Sequence, residues 1–217
     1  MSLQPIGSLE KKLLKSHQNG AIAGVDEVGR GCLAGPVYAA CAILDYKQLA
    51  NIPGPDRDLI RDSKTLSQKQ RQKALLTIHK VALKLNVAAA QVAEIEVLGI
   101  VGATFLAMKR AIYPFTSQIG LLLVDGKFKI PDLALPQEAI VGGDNACFAI
   151  AAASILAKES RDLFMRQQDV LFPGYGFSKN VGYGTKLHQD GLKRQGLCPL
   201  HRRNFAPISQ IGLEMSY

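Results

Sequence analysis

No two of the four cysteines, at positions 32, 41, 147 and 198, form a C-x-x-C pair. That spacing excludes the common zinc-binding knuckles. A chain of 217 residues can build a core without disulfide staples. Free thiols in a reducing compartment are the expectation. No apolar run is long enough to cross a bilayer. No basic-then-apolar leader opens the chain either; its start is polar, with Glu10, Lys11, Lys12 and Lys15. A cytoplasmic protein with no membrane partner is therefore expected. Internal repeats and low-complexity tracts are also absent. What remains is a 47% hydrophobic composition, enough for a folded globule, and a net charge of +8 from 26 basic and 18 acidic residues. A basic balance favours polyanionic partners, with solubility alone as the plainer alternative.

The elements read as one α/β domain over 1–217, with no interdomain linker. Residues 1–18 form a polar helical lead-in. Residues 21–29 are a strand, joined through a glycine turn to a second apolar run at 36–44, so a hairpin is expected. Residues 51–62 hold two prolines and five charges and read as a surface loop. Ser67-Gln68-Lys69-Gln70 has the form of a capping box. It starts a helix to Val81 whose periodicity is set by Leu75, Leu76, Ile78 and His79. A strand over 82–90, a helix over 91–112 and strands at 120–124 and 139–141 follow. An alanine-rich helix over 147–169 comes next. Residues 171–217 are loop-rich, with a short helix from about Lys186 to Arg194.

Asp26 and Glu27 are the most informative residues. They sit side by side at the end of the apolar run Ala21–Val25, just before Gly29-Arg30-Gly31. Buried carboxylates are expensive unless compensated, and a divalent cation is the obvious compensation. Asp125 ends a second apolar strand, and Asp144 follows a third through Gly142-Gly143. Strand ends are where ligands gather in α/β folds. Each acid has an ordinary explanation on its own, Asp125 as a turn residue and Asp144 as a helix N-terminal acid. Together they point to a metal site. Oxygen ligands without histidine or cysteine favour Mg²⁺ or Mn²⁺, and such sites suit phosphodiester chemistry with two ions.

Ser154, Lys158 and Asp162 lie four apart on the long helix. They read either as a plain polar stripe with an i, i+4 ion pair or as a face that positions Asp144. His79, His188 and His201 are scattered, and surface or phosphate-contact roles are expected for them. Residues 171–217 carry Lys179, Lys186, Lys193, Arg194, Arg202 and Arg203 against Asp190 and Glu214. Tyr175, Phe177 and Tyr183 are interleaved with these cations. That mixture suits nucleic acid, with aromatic faces on sugars or bases and cations on phosphates. A solvated basic tail with its aromatics in the core is the plainer reading, more so for Phe177 than for Tyr183 between Gly182 and Gly184.

These residues resemble ribonuclease HII, the type 2 ribonuclease H family, from Ala21 to about Pro207. The resemblance rests on Asp26-Glu27-Val28-Gly29-Arg30-Gly31, Ala34-Gly35-Pro36-Val37, Asp62-Ser63-Lys64, Val124-Asp125-Gly126 and Gly143-Asp144. It continues through Ala151 to Lys158, Arg161-Asp162, Gly182-Tyr183-Gly184-Thr185 and His201-Arg202-Arg203. The resemblance implies an RNase H-like mixed five-stranded sheet flanked by helices, with a helical C-terminal extension. It implies a Mg²⁺- or Mn²⁺-dependent endonuclease acting on RNA–DNA hybrids and on ribonucleotides embedded in duplex DNA, and leaving 3′-hydroxyl and 5′-phosphate ends. Asp26, Glu27, Asp125 and Asp144 would be the catalytic, metal-binding carboxylates. Gly29, Arg30 and Gly31 would grip the ribonucleotide and its 2′-hydroxyl. Tyr183 would stack at the junction, and Ser63 and Lys64 would contact substrate. A monomer is expected, with roles in DNA replication and repair. The chain departs from the pattern at Cys32, where proline is usual, at Gly99, where asparagine is common, and at 145–149, which lack the usual lysine and serine.

Three other readings compete, one of them an RNase H-like DNA nuclease or resolvase, against which Gly29-Arg30-Gly31 and Tyr183 argue. Ribonuclease HIII usually carries an extra N-terminal domain and a different glycine turn; only about twenty residues precede the first strand here, and Gly29-Arg30-Gly31 is intact. A non-catalytic hybrid-binding module on the same fold would not need all four carboxylates.

Overall fold

The computed structural model describes residues 7–16 and 20–209. Helix α1 (Ser8–Ser16) realises the lead-in after a turn at Gly7; residues 1–6 and 17–18 of the expected lead-in lie outside the described residues. Five strands follow: β1 (Ala21–Val28), β2 (Val37–Leu44), β3 (Ala82–Ala90), β4 (Ile119–Asp125) and β5 (Gln137–Ile140). They form one mixed sheet in the order β3-β2-β1-β4-β5. The expected hairpin is present, β1 pairing antiparallel with β2, and β2 with β3. β4 runs parallel to β1, and β5 parallel to β4.

The short helix α2 (Tyr46–Ala50) follows β2, and α3 (Gly54–Arg57) breaks up the loop expected over 51–62. Helix α4 (Gln68–Val81) begins at Ser67 with both capping-box hydrogen bonds in place. Its buried face is not the one the leucines suggest. Arg71, Ala74, Thr77, Ile78 and Val81 are buried, whereas Leu76 and His79 are exposed. Burial of Arg71 explains the offset, because its guanidinium reaches Glu159 and Asp162 on the neighbouring helix. Helix α5 (Val92–Ile112) is kinked at Gly99 (φ 68°, ψ 168°), a conformation only glycine adopts readily. It covers one face of the sheet through Ile95, Ala103, Ala107 and Met108.

The other face is covered by α7 (Phe148–Leu171), which follows the one-turn helix α6 (Gly143–Ala146). Ala151, Ala152, Ala153 and Ala157 of α7 pack with Ala40, Ala42 and Leu44 of β2. The small residues bring helix and sheet close together. At Gly24 of β1 the approach is so close that a Cβ would strike the backbone of Ala149 and Ile150. This close packing lowers the next turns of α7 onto the end of β1. Helices α8 (Phe177–Asn180) and α9 (Lys186–Gln195) form the C-terminal extension, joined to α7 through Met165, Tyr175, Phe177 and Leu192. No described helix is long and apolar enough to cross a membrane.

Candidate active site

The parallel ladder between β1 and β4 runs to Val25 opposite Val124. The next residue on each strand is a carboxylate, so Asp26 and Asp125 come together at the C-terminal ends of neighbouring central strands. Side chains alternate along a strand. Asp26 therefore turns toward α7, and Glu27 toward the α5 face. Asp26 is only 4% exposed, which settles the expectation that one of the pair points inward. Its Oδ1 accepts the Glu27 amide at 2.7 Å, and the Ser154 hydroxyl also donates to it. The Ser63 and Ser154 hydroxyls stand 3.0 Å apart. With Ser154 donating to Asp26, Ser63 becomes the donor to Ser154.

Asp125 Oδ1 accepts the Gly143 amide at 2.8 Å, which ties the end of β4 to the start of α6. Asp144, one residue on, is buried, and its Oδ1 accepts the Asn145 side-chain Nδ2 at 3.2 Å. Glu27 is held from the solvent side by Arg30, whose Nη1 donates to Oε1 at 3.2 Å. All four acids thus gather at the same end of the sheet.

Their electrostatics describe a cluster short of positive charge. Burial pushes the Asp26 carboxyl well above its usual range, and repulsion from Glu27 and Asp125 adds to the rise. Burial also raises Glu27, although Arg30 opposes it. Asp144 is pushed up to about 6 by burial and by repulsion from Asp62 and Asp125. Lys64 faces the group. Burial works to lower its pKa, but attraction by Asp26, Asp144, Asp62 and Asp125 together outweighs it, so the net shift is upward. Among the described residues no three acidic, histidine or cysteine side chains already stand as the ligands of one ion. The donor set is all oxygen and carries excess negative charge, which fits a hard divalent cation.

The segments that the resemblance ties to substrate contact lie near this cluster, Arg30 on Glu27 and Tyr183 within reach of the Lys64 charge. Gly29 has φ +92°, and a Cβ there would run into the Arg161 guanidinium. Gly31 is different: nothing lies within 4 Å of where its Cβ would stand. No packing inside the protein requires glycine at 31, and the bare backbone faces open space where a ligand can approach. Tyr183 is 42% exposed and its hydroxyl bonds the Cys32 thiol, at the position where proline is usual. Gly182 O accepts the Leu33 amide at 2.9 Å and the Ala34 amide at 3.3 Å, so the tyrosine turn docks on the chain just after Gly31.

Two fully buried arginines clamp these segments, a role the sequence did not reveal. Arg161 donates to Pro36 O, Val181 O and Ala34 O at 3.0, 2.8 and 3.0 Å. Arg202 donates to Gly35 O, Arg30 O and Gly29 O at 2.9, 2.8 and 2.6 Å. Burial draws the Arg202 pKa down to about 10, so it stays charged at neutral pH. Arg202 therefore leaves the expected set of phosphate-facing cations, while Lys179, Lys186, Lys193, Arg194 and Arg203 remain exposed. Tyr175 and Phe177 are buried in the C-terminal core and offer no stacking face; Tyr183 does.

Other expectations also shift. His79 is exposed as expected, but His188 and His201 are buried with their Nε2 atoms 3.0 Å apart. The Cys198 amide donates to His201 Nδ1 at 2.9 Å. His201 Nε2 then carries the hydrogen and donates to His188, whose Nδ1–H reaches Tyr183 O at 3.0 Å. Ser63 is buried and engaged with Ser154, so it supports Asp26 rather than facing solvent. The stripe on α7 serves Asp26 through Ser154, not Asp144. Lys158 pairs with Asp162 at 2.9 Å, and Asp162 with Arg71 at 3.4 Å. Asp62, named in the sequence only as part of a motif, stands against Asp144. Glu10 is fully buried, accepting the Phe148 and Ala149 amides at 2.9 Å each and the Tyr46 hydroxyl at 2.8 Å. It thereby fixes the start of α7 within the atypical stretch 145–149.

The family model for ribonuclease HII matches residues 23–208. A ribonuclease HII of Dehalococcoides mccartyi is 45% identical over 199 residues, covering 92% of each chain. The crystal structure of ribonuclease H2 from Pyrococcus horikoshii superposes with a TM-score of 0.71 at 23% identity, covering 89% of this chain and 97% of the other. That of Bst-RNase HIII in complex with Mn²⁺ gives 0.69 at 18% identity, covering 94% and 73%. The two crystal structures establish the fold; the family match and the curated relative establish membership. The chain belongs to the ribonuclease HII family, and is a ribonuclease H hydrolase acting as an endonuclease on RNA–DNA hybrids.

Proposed function

We propose that this enzyme also incises duplex DNA at embedded ribonucleotides, and that Asp26, Glu27, Asp125 and Asp144 are its catalytic carboxylates. The observation that carries the reading is the meeting of Asp26 and Asp125 at adjacent strand ends, with Glu27 and Asp144 near enough to raise or share their charge. These four side chains would hold Mg²⁺ or Mn²⁺. Divalent ions in such a site supply activation of water and neutralise charge on the leaving oxygen. The protein's own part is positioning. Ser154 and the Glu27 amide orient Asp26, and the Gly143 amide orients Asp125. Lys64 adds a positive charge at the rim, suited to a phosphate.

Selectivity for ribose falls to the Gly29–Gly31 turn. Its carbonyls at 29 and 30 are drawn inward by Arg202, while the backbone at Gly31 stands open. Tyr183 completes the junction contact. Release of Arg30 from Glu27 on substrate binding would free both groups, one for nucleic acid and one for the cation. The test is cleavage of a DNA duplex carrying one ribonucleotide, with Mg²⁺ or Mn²⁺, by wild type and Asp125→Asn. Wild type cuts and the variant does not; no cut by wild type, or full activity in the variant, would overturn the reading.

A further inference from the structure

The loop that leaves Asp125 has a feature that the site described above does not use. Lys127, Phe128 and Lys129 are all exposed, Phe128 to 72%. A single exposed aromatic is ordinary on a protein surface; what marks this one is its place between two lysines in the groove beside Glu27 and Asp125. The loop is held at both ends. The Gly126 amide donates to Ile140 O at 3.0 Å. Ile130 is buried, its amide donates to Gln137 Oε1 at 2.9 Å, and Gln137 Nε2 returns to Ile130 O at 3.1 Å. The three side chains therefore project from a fixed base. Lys127 and Phe128 line one groove with Arg30 and with the carboxylates Glu27 and Asp125, floored by Phe105 of α5.

We propose that Lys127-Phe128-Lys129 is a nucleic-acid contact on the α5 side of the active site. Phe128 takes the flat face of a sugar or base of the bound duplex, and the two lysines take flanking phosphates. Charge complementarity selects this occupant: an aromatic between two cations suits a phosphodiester strand, and an apolar peptide would leave both ammonium groups without counter-charge. The groove is also continuous with the site where the strand would be cut. The contact rests on the reading of that site as a nuclease centre, and it extends the bound surface beyond Gly29–Gly31 and Tyr183.

The test uses the whole protein in EDTA and a fluorescently labelled RNA–DNA hybrid. Phe128→Ala weakens binding by about 5-fold or more, the scale of one lost stacking contact, and Phe128→Trp restores it. Lys127→Ala with Lys129→Ala lowers the slope of log affinity against log salt by about 2. The melting temperature of each variant matches wild type, because the side chains are exposed. Unchanged affinity in Phe128→Ala, or an unchanged salt slope, overturns the contact while leaving the nuclease reading intact. A wild type that neither binds nor cuts the hybrid overturns both.

Discussion

Replacing Arg202 by lysine keeps the charge and destroys the fork. The guanidinium of Arg202 is wholly buried and divides three donors among Gly35 O, Arg30 O and Gly29 O. Lysine carries its donors on one nitrogen at the end of a flexible stem. It can reach one of the three carbonyls and leaves two without partners. Each buried polar group so stripped costs about 1–3 kcal/mol, so the substitution costs about 2–6 kcal/mol. That is a large share of the ~5–15 kcal/mol that holds a domain folded. Two of the three carbonyls, those of Gly29 and Arg30, belong to the turn that presents Gly31, so the damage falls on recognition as well as on stability. Urea unfolding at neutral pH reads the first effect as a lower midpoint at constant m. Cleavage of the embedded-ribonucleotide duplex reads the second, with kcat/KM down about 10–100-fold, as misplacement by a fraction of an ångström to an ångström produces. A midpoint and a kcat/KM both equal to wild type would refute the clamp.

Three further predictions follow from the same geometry. Asp26→Asn abolishes cleavage yet raises the melting temperature of the metal-free protein, by about 2–4 °C for each kcal/mol of buried repulsion removed; calorimetry in EDTA showing a lower value would contradict the charge account. Burial holds His201 at about 4 and His188 below its ordinary 6.5. In the unfolded chain both take up protons near 6.5, so stability present above that pH is lost as pH falls from 6.5 toward 4, by about 3 kcal/mol for His201. Urea midpoints at pH 5 and 7 measure this loss, and His201→Gln flattens the difference. Tyr183→Ala loses more activity on a single embedded ribonucleotide than on a long hybrid; equal losses would remove its junction role.

What the sequence disclosed follows the range of the interactions involved. The strands, the capped α4 and the long α7 were legible because apolar runs and capping residues act locally. The carboxylate cluster was legible because Asp26, Glu27 and Asp125 lie at strand ends and Asp144 shortly after one, and strand ends in an α/β sheet converge. The buried arginines were not. Arg202 sits in a basic tail beside exposed Arg203, and nothing local shows that its guanidinium crosses to carbonyls more than 160 residues earlier in the chain. His188 and His201 were misjudged for the same reason, their contact depending on how α9 folds back. In α4, Leu75 and Leu76 outweighed Arg71 in the periodicity because an arginine is not expected to define a buried face. Ser154 was found but assigned to the wrong carboxylate, since the close approach of α7 at Gly24 decides which acid it meets.

The central claim is that four carboxylates direct water, not the ribose itself, at the phosphorus. The chemistry of the product ends tests this most directly. A duplex carrying one ribonucleotide, cut in Mg²⁺ and resolved by mass spectrometry, is predicted to yield a 3′-hydroxyl and a 5′-phosphate. A 2′,3′-cyclic phosphate with a 5′-hydroxyl would mean that the 2′-hydroxyl attacked, and would contradict the account.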